Sequence, residues 1–170
     1  MSKSWLPQQA HSDDTIQQFA PTPRKMNDAD PGCFGYWSKE EIMSFLKLLL
    51  DSERIGITAY AAIGRAADSH LADIAFEAEL GQGAICVLLK KELVARGGAN
   101  ILRRNTTIAL PSTDCSLRRR IAFASHNQIK LADMLEDAIL NIFDSKLNAK
   151  LMYLLLLHRK QVEQLETLVT

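Results

Sequence analysis

What this chain lacks narrows its chemistry. Only three of its 170 residues are cysteines, Cys33, Cys86 and Cys115. An odd number without CxxC spacing argues against a disulfide framework, a zinc knuckle or a redox pair, and for free thiols in a reducing compartment. Lys plus Arg number 20 and Asp plus Glu 20, so no global field favours nucleic acid or an anionic membrane. The longest apolar run, Leu151 to Leu157, falls far short of the roughly 20 residues that span a bilayer, and the first residues lack an apolar signal core. A cytoplasmic protein is expected, with no membrane insertion and no nucleic acid partner. No glycine-rich phosphate loop follows a strand pattern and no Gly-x-Ser-x-Gly elbow occurs, which leaves nucleotide and serine-hydrolase chemistry unsupported.

Proline is scarce outside one region. Residues 1–36 hold all of the prolines but Pro111, and their apolar residues are too scattered to form a face. This stretch reads as a disordered or extended tail, with Trp5, Ile16 and Phe19 available to a partner. Residues 37–170 read as one helical domain. Ser38-Lys-Glu-Glu41 is a capping box, and Ile42, Phe45, Leu46, Leu49, Glu53, Ile57, Tyr60 and Ile63 follow it at helical spacing to about Ala67. A second helix is expected from a cap at Asp68 or Ser69 to Arg96, stopped by Gly97-Gly98. Its inward face has two readings, Leu71, Ile74, Ala78, Gly81, Ile85 and Leu88 or Ala75, Glu79, Gln82, Cys86, Leu89 and Leu93. Gly81 and Gly83 inside it suggest a close approach of backbones, room for a bound group, or a packing notch.

A crossing segment at 97–113 leads to a third helix over 114–143, with stripe Leu117, Ile121, Ala124, Gln128, Leu131, Leu135, Ala138 and Ile142. Arg118, Arg119 and Arg120 read as part of a solvated face. A break near Asp144-Ser145 precedes a fourth helix striped by Leu147, Leu151, Leu154, His158, Gln161 or Val162, Leu165 and Leu168. The fold class expected is all-α, an antiparallel four-helix bundle.

Each helix thus carries one polar residue on its apolar stripe: Glu53, Gln82, Gln128 and His158. At about 1.5 Å per residue, antiparallel folding brings the four to one depth. An unpaired buried polar group costs about 1–3 kcal/mol, so four together imply a purposeful layer. Glu and His between helices can bind iron, manganese or zinc, and di-iron bundles take Glu from two helices and Glu-x-x-His from two more. Here helix two reads Glu79-Leu-Gly-Gln82, helix three offers Gln128, and helix four reads Leu155-Leu-Leu-His158. Two ions lack ligands; one ion on Glu53, Glu79 and His158 remains open, with Gln82 and Gln128 beside it. A metal-free network that fixes helix register is the alternative.

The segment Leu49-Leu-Asp-Ser-Glu-Arg-Ile-Gly56, His158-Arg159, the Gly97-Gly98 stop, Pro111 and Gln128 resemble an uncharacterised bacterial family of the ferritin-like superfamily, over about 37–169. The resemblance implies a ferritin-like bundle with metal-binding ancestry and no assigned activity. Three functions follow: a non-catalytic or weakly metal-binding accessory protein, a mononuclear metal oxidoreductase or metal sensor, or a partner-binding module working through its N-terminal tail. A homo-oligomer or a protein partner fits the first and third.

Overall fold

In a computed structural model, residues 35–98 and 115–167 are described. Readings that fall on the N-terminal tail through 34, on the crossing at 99–114 and on Leu168 lie outside them. The described residues form four α-helices and no strand: α1 (Lys39–Gly64), α2 (Ser69–Ala95), α3 (Leu117–Asn141) and α4 (Ser145–Thr167). α1 packs on α2 and on α3, and α3 packs on α4.

Local chemistry sets the ends. Ser38 Oγ accepts the Glu41 amide while Glu41 Oε2 accepts the Ser38 amide at 2.7 Å, so two amides that lack partners inside α1 are satisfied. Asp68 caps α2 through the Leu71 amide at 3.0 Å. Gly97, at φ +83°, closes α2 by letting its own amide reach Val94 O and the Gly98 amide reach Leu93 O. The cap of α3 is Ser116, which accepts the Arg119 amide, so α3 begins at Leu117 and not at 114. α1 stops at Gly64, three residues before the expected end.

Asp144 starts α4 by accepting the Lys146 and Leu147 amides, each at 3.0 Å, and it also takes Arg96 Nη2 at 2.5 Å. Burial raises its carboxyl pKa, but the hydrogen bonds from Arg96 and these amides outweigh that and hold it below the ordinary carboxylate value. A depressed pKa contributes stability above the unfolded carboxyl's range that is lost as pH falls through the folded value. Asp144→Ala should therefore destabilise the fold by about 1–2 kcal/mol at neutral pH, the range for a lost N-cap. The deficit should shrink when urea melts are repeated at low pH; a pH-independent deficit would rule out the carboxylate as its source.

Arg96 also pairs with Glu92, and Glu92 with Lys150, which ties the end of α2 to the start of α4. Arg120, expected on a solvated face, instead turns inward and donates to Ala62 O at 2.8 Å, a cation on the last carbonyls of α1. Arg118 and Arg119 are exposed.

The interior is two apolar blocks. The larger joins Leu46, Leu49 and Leu50 of α1 to Leu89 and Leu93, Leu131 and Leu135, and Leu151 and Leu154, all essentially without solvent contact. The smaller holds Ala59, Tyr60, Ile63, Ala75, Ala78, Ile121, Ala124 and Leu165. In α2 the face through Ala75, Gln82, Cys86, Leu89 and Leu93 is the buried one, shared with Ala78 and Ile85, and Gly81 is exposed.

Candidate functional site

Between the two blocks in sequence position on every helix stand Glu53, Gln82, Gln128 and His158, all with no solvent exposure. Helical periodicity puts them there: each takes a core position of its stripe where an apolar residue would otherwise stand. Ser52 and Asn127 join them from the α1–α3 side, where Asn127 Nδ2 donates to Ser52 O at 3.5 Å.

His158 is the hub. Its Nδ1 lies 2.6 Å from Gln128 Oε1. An amide oxygen only accepts, so Nδ1 carries the proton and donates. On the other side of the ring, Nε2 lies 2.8 Å from Glu53 Oε1. Distance alone would make this a hydrogen bond, yet neither atom has a hydrogen-bond partner of proper direction. The carboxylate oxygen stands off the line of the ring's N–H bond. A nitrogen lone pair and a carboxylate oxygen at that separation repel unless a positive charge lies between or on them. A proton or a metal ion between the two atoms would relieve that repulsion.

Gln82 reaches into the same layer from α2 across Gly56, one helical turn beyond Glu53. A Cβ built on Gly56 would sit 2.6 Å from Gln82 Nε2 and 2.7 Å from its Cδ, with Oε1 nearer still. Glycine at 56 is what admits the amide. Both of its polar atoms are buried without partners, as are both Glu53 oxygens, Tyr60 OH and Gln128 Nε2. Native interiors leave few such atoms, and among the described residues most of them belong to or adjoin this layer. The charge of Glu53 is felt around it. Burial first, and then the Glu53 carboxylate, raise the Tyr60 phenol well above its usual range and push the Cys86 thiol up to about 11.

Glu79 lies elsewhere. It is half-buried in a shallow cleft of about 300 Å³ lined by Tyr60, Ala61, Gly64, Arg65, Ala72 and Phe76. Among the described residues no three His, Cys, Asp or Glu side chains converge as a metal-holding group. The structure therefore brings Glu53, His158 and Gln128 into contact, sets Gln82 against Gly56 one turn from Glu53, and places Glu79 in the cleft beside Tyr60. His70 and His126 are exposed. Sequence reading missed Tyr60 and Asn127 as polar members of this layer, and Gly56 as its notch. Tyr60 stands at i+7 from Glu53 on the same stripe, a signal that was present but looks the same as an ordinary core tyrosine.

Among the described residues no helix is long and apolar enough to cross a membrane. Compared with protein-family models, with curated proteins and with solved structures, the chain matches none.

Proposed function

We propose that this chain is a ferritin-like antiparallel four-helix bundle that acts as a non-catalytic accessory protein and binds a single divalent transition-metal ion weakly in its buried layer. The topology is supported by where the helix ends lie. α2 closes with Gly98 against Met43, near the start of α1, whereas α3 opens with Arg120 on Ala62, near its end. Those points are separated by about 28 Å of helix at 1.5 Å per residue, so the connection between α2 and α3 joins opposite ends of α1. Position numbers fall in α2 as they rise in α1, through Met43 with Gly98, Gly56 with Gln82 and Gly64 with Ala75. Two antiparallel pairs joined by one long crossover make the ferritin-like connectivity.

The observation that carries the metal reading is the off-line 2.8 Å approach of His158 Nε2 to Glu53 Oε1, with Nδ1 already committed to Gln128. Hydrogen-bonding one ring nitrogen to a neighbour fixes the tautomer that frees the other as a ligand. Glu53 and His158, with the Gln82 amide oxygen offered from beside Gly56 one turn away, would make a mixed N/O set suited to zinc, manganese or iron, with only one anionic member. Such a set fits one ion held loosely and does not fit two, because Gln82 stands where a dinuclear centre would have His, and Gln128 and Leu155 where it would have Glu. A bound ion would supply positive charge between Glu53 and His158; this chain's residues would orient it and exclude water. A second reading, an imidazolium–carboxylate pair that fixes helix register, is favoured by the absence of a third His, Cys, Asp or Glu among the described residues.

The two separate in one experiment. Untagged full-length protein, purified without chelator, is analysed for metals and titrated calorimetrically with Zn(II), Mn(II) and, without oxygen, Fe(II). Binding of one ion per chain at saturation, lost in Glu53→Gln with helicity retained, is the expected result. A folded protein that binds none of the three at millimolar concentration would leave the imidazolium pair as the reading. Binding unchanged in Glu53→Gln would overturn the ligand set.

A further inference from the structure

The outer face of α2 carries apolar residues that the other described helices do not cover. Phe76, Leu80, Val87 and Val94 are each at least half exposed. At 100° per residue they fall within about 40° of arc, opposite Gln82, and make a stripe along most of the helix. At the middle of the stripe stand Gly83 and Ala84, and a Cβ added at Gly83 would meet nothing within 4 Å. Its smallness therefore serves no packing among the described residues and leaves room for a close external approach.

The charges beside the stripe are ordered. Glu77 and Lys91 lie on one flank, seven residues to either side of Ala84; Glu79 and Lys90 lie on the other flank, again on opposite sides of that centre. None of the four makes an ion pair among the described residues. The acidic half and the basic half of one helix are complementary to the same helix turned end for end. A twofold axis through an interface maps each flank onto itself, which would set Glu77 against Lys91 and Glu79 against Lys90 of a second copy, with Leu80 on Val87 between them. The apolar residues of α3 and α4, Leu140, Met152 and Leu156, are also exposed, but the ion pair on those helices' outer surface, Glu136–Arg159, is already closed within the chain.

We propose that α2 is a self-association face, on which two copies of this chain pack α2 against α2 in antiparallel about a twofold axis at Gly83-Ala84. This does not depend on the metal reading. The stripe is about 27 Å long, one helix wide, and so smaller than the roughly 800 Å² per partner of standard stable interfaces. The dimer is accordingly in concentration-dependent equilibrium with monomer.

Sedimentation equilibrium of the full chain over a wide concentration range tests it. A reversible monomer–dimer equilibrium is expected, and Val87→Glu should abolish the dimer while far-ultraviolet circular dichroism stays unchanged. Glu77→Lys and Lys91→Glu should each raise the dissociation constant at least about tenfold, since each creates two symmetry-related like-charge contacts. An equimolar mixture of those two variants should recover native affinity, because every altered charge then meets its opposite. Three results would overturn the proposal: monomer at all concentrations, a dimer indifferent to Val87→Glu, or a dimer lost instead on Leu156→Glu.

Discussion

Replacing His158 with Leu should destabilise the fold by about 3–5 kcal/mol, because removal of one partner leaves the other charge buried and unanswered. Glu53 has no solvent contact and, among the described residues, no ion-pair partner other than His158. Gln128 Oε1 would lose its donor in the same stroke. The total stability of a domain this size is only about 5–15 kcal/mol, so the variant should unfold at much lower urea or not fold fully at all. Adding Glu53→Leu should then restore stability, since a well-packed apolar pair in place of a buried ion pair is often neutral or stabilising by about 1–4 kcal/mol. Urea melts followed by circular dichroism would measure both. If the double variant were as unstable as the two single losses added, the charge pair could not be the source of the effect.

Gly56→Ala should cost about 1–3 kcal/mol, the range for overpacking a filled interior. A methyl group there overlaps the Gln82 amide, which is enclosed on all sides and has no polar partner to turn to. Shortening the amide should relieve the clash. In the double variant Gly56→Ala/Gln82→Ala, a coupling energy of at least about 1 kcal/mol is expected, beyond the few tenths typical of independent sites. Additive losses would mean that Gln82 swings clear without cost. Because Gln82 is also the third ligand proposed for the ion, Gly56→Ala should weaken metal binding along with stability.

Much of the architecture was readable because its signals are local. The capping box at Ser38 and Glu41, the cap at Asp68, the Gly97-Gly98 stop and the 3.6-residue stripes each lie within a turn or two of chain. The same periodicity placed Glu53, Gln128 and His158 on inward faces. α2 resisted because it bears apolar residues all round: Phe76, Leu80, Val87 and Val94 face outward, so its stripe was ambiguous and Glu79 could not be told from Gln82 as the inward member. The start of α3 was misplaced because Asp114 and Ser116 both suit a cap and only the amide geometry chooses between them. Partnerships were beyond reach of any spacing rule. That His158 turns one nitrogen to Gln128 and the other to Glu53, that Gly56 exists for Gln82, and that Arg120 crosses to Ala62 depend on residues tens of positions apart.

The polar layer also divides the fold into halves of unequal strength. On one side leucines from all four helices interlock; on the other, four of the eight buried core residues are alanines, which contribute far less apolar area each. Amide hydrogens in the Ala59–Ile63, Ala75–Ala78 and Ile121–Ala124 turns should therefore exchange through partial openings well below the free energy of global unfolding, while those around Leu89, Leu131 and Leu151 exchange only with it. Such an opening would bring water and small ions to Glu53 and His158 while the leucine half stays closed, giving an enclosed layer a way in.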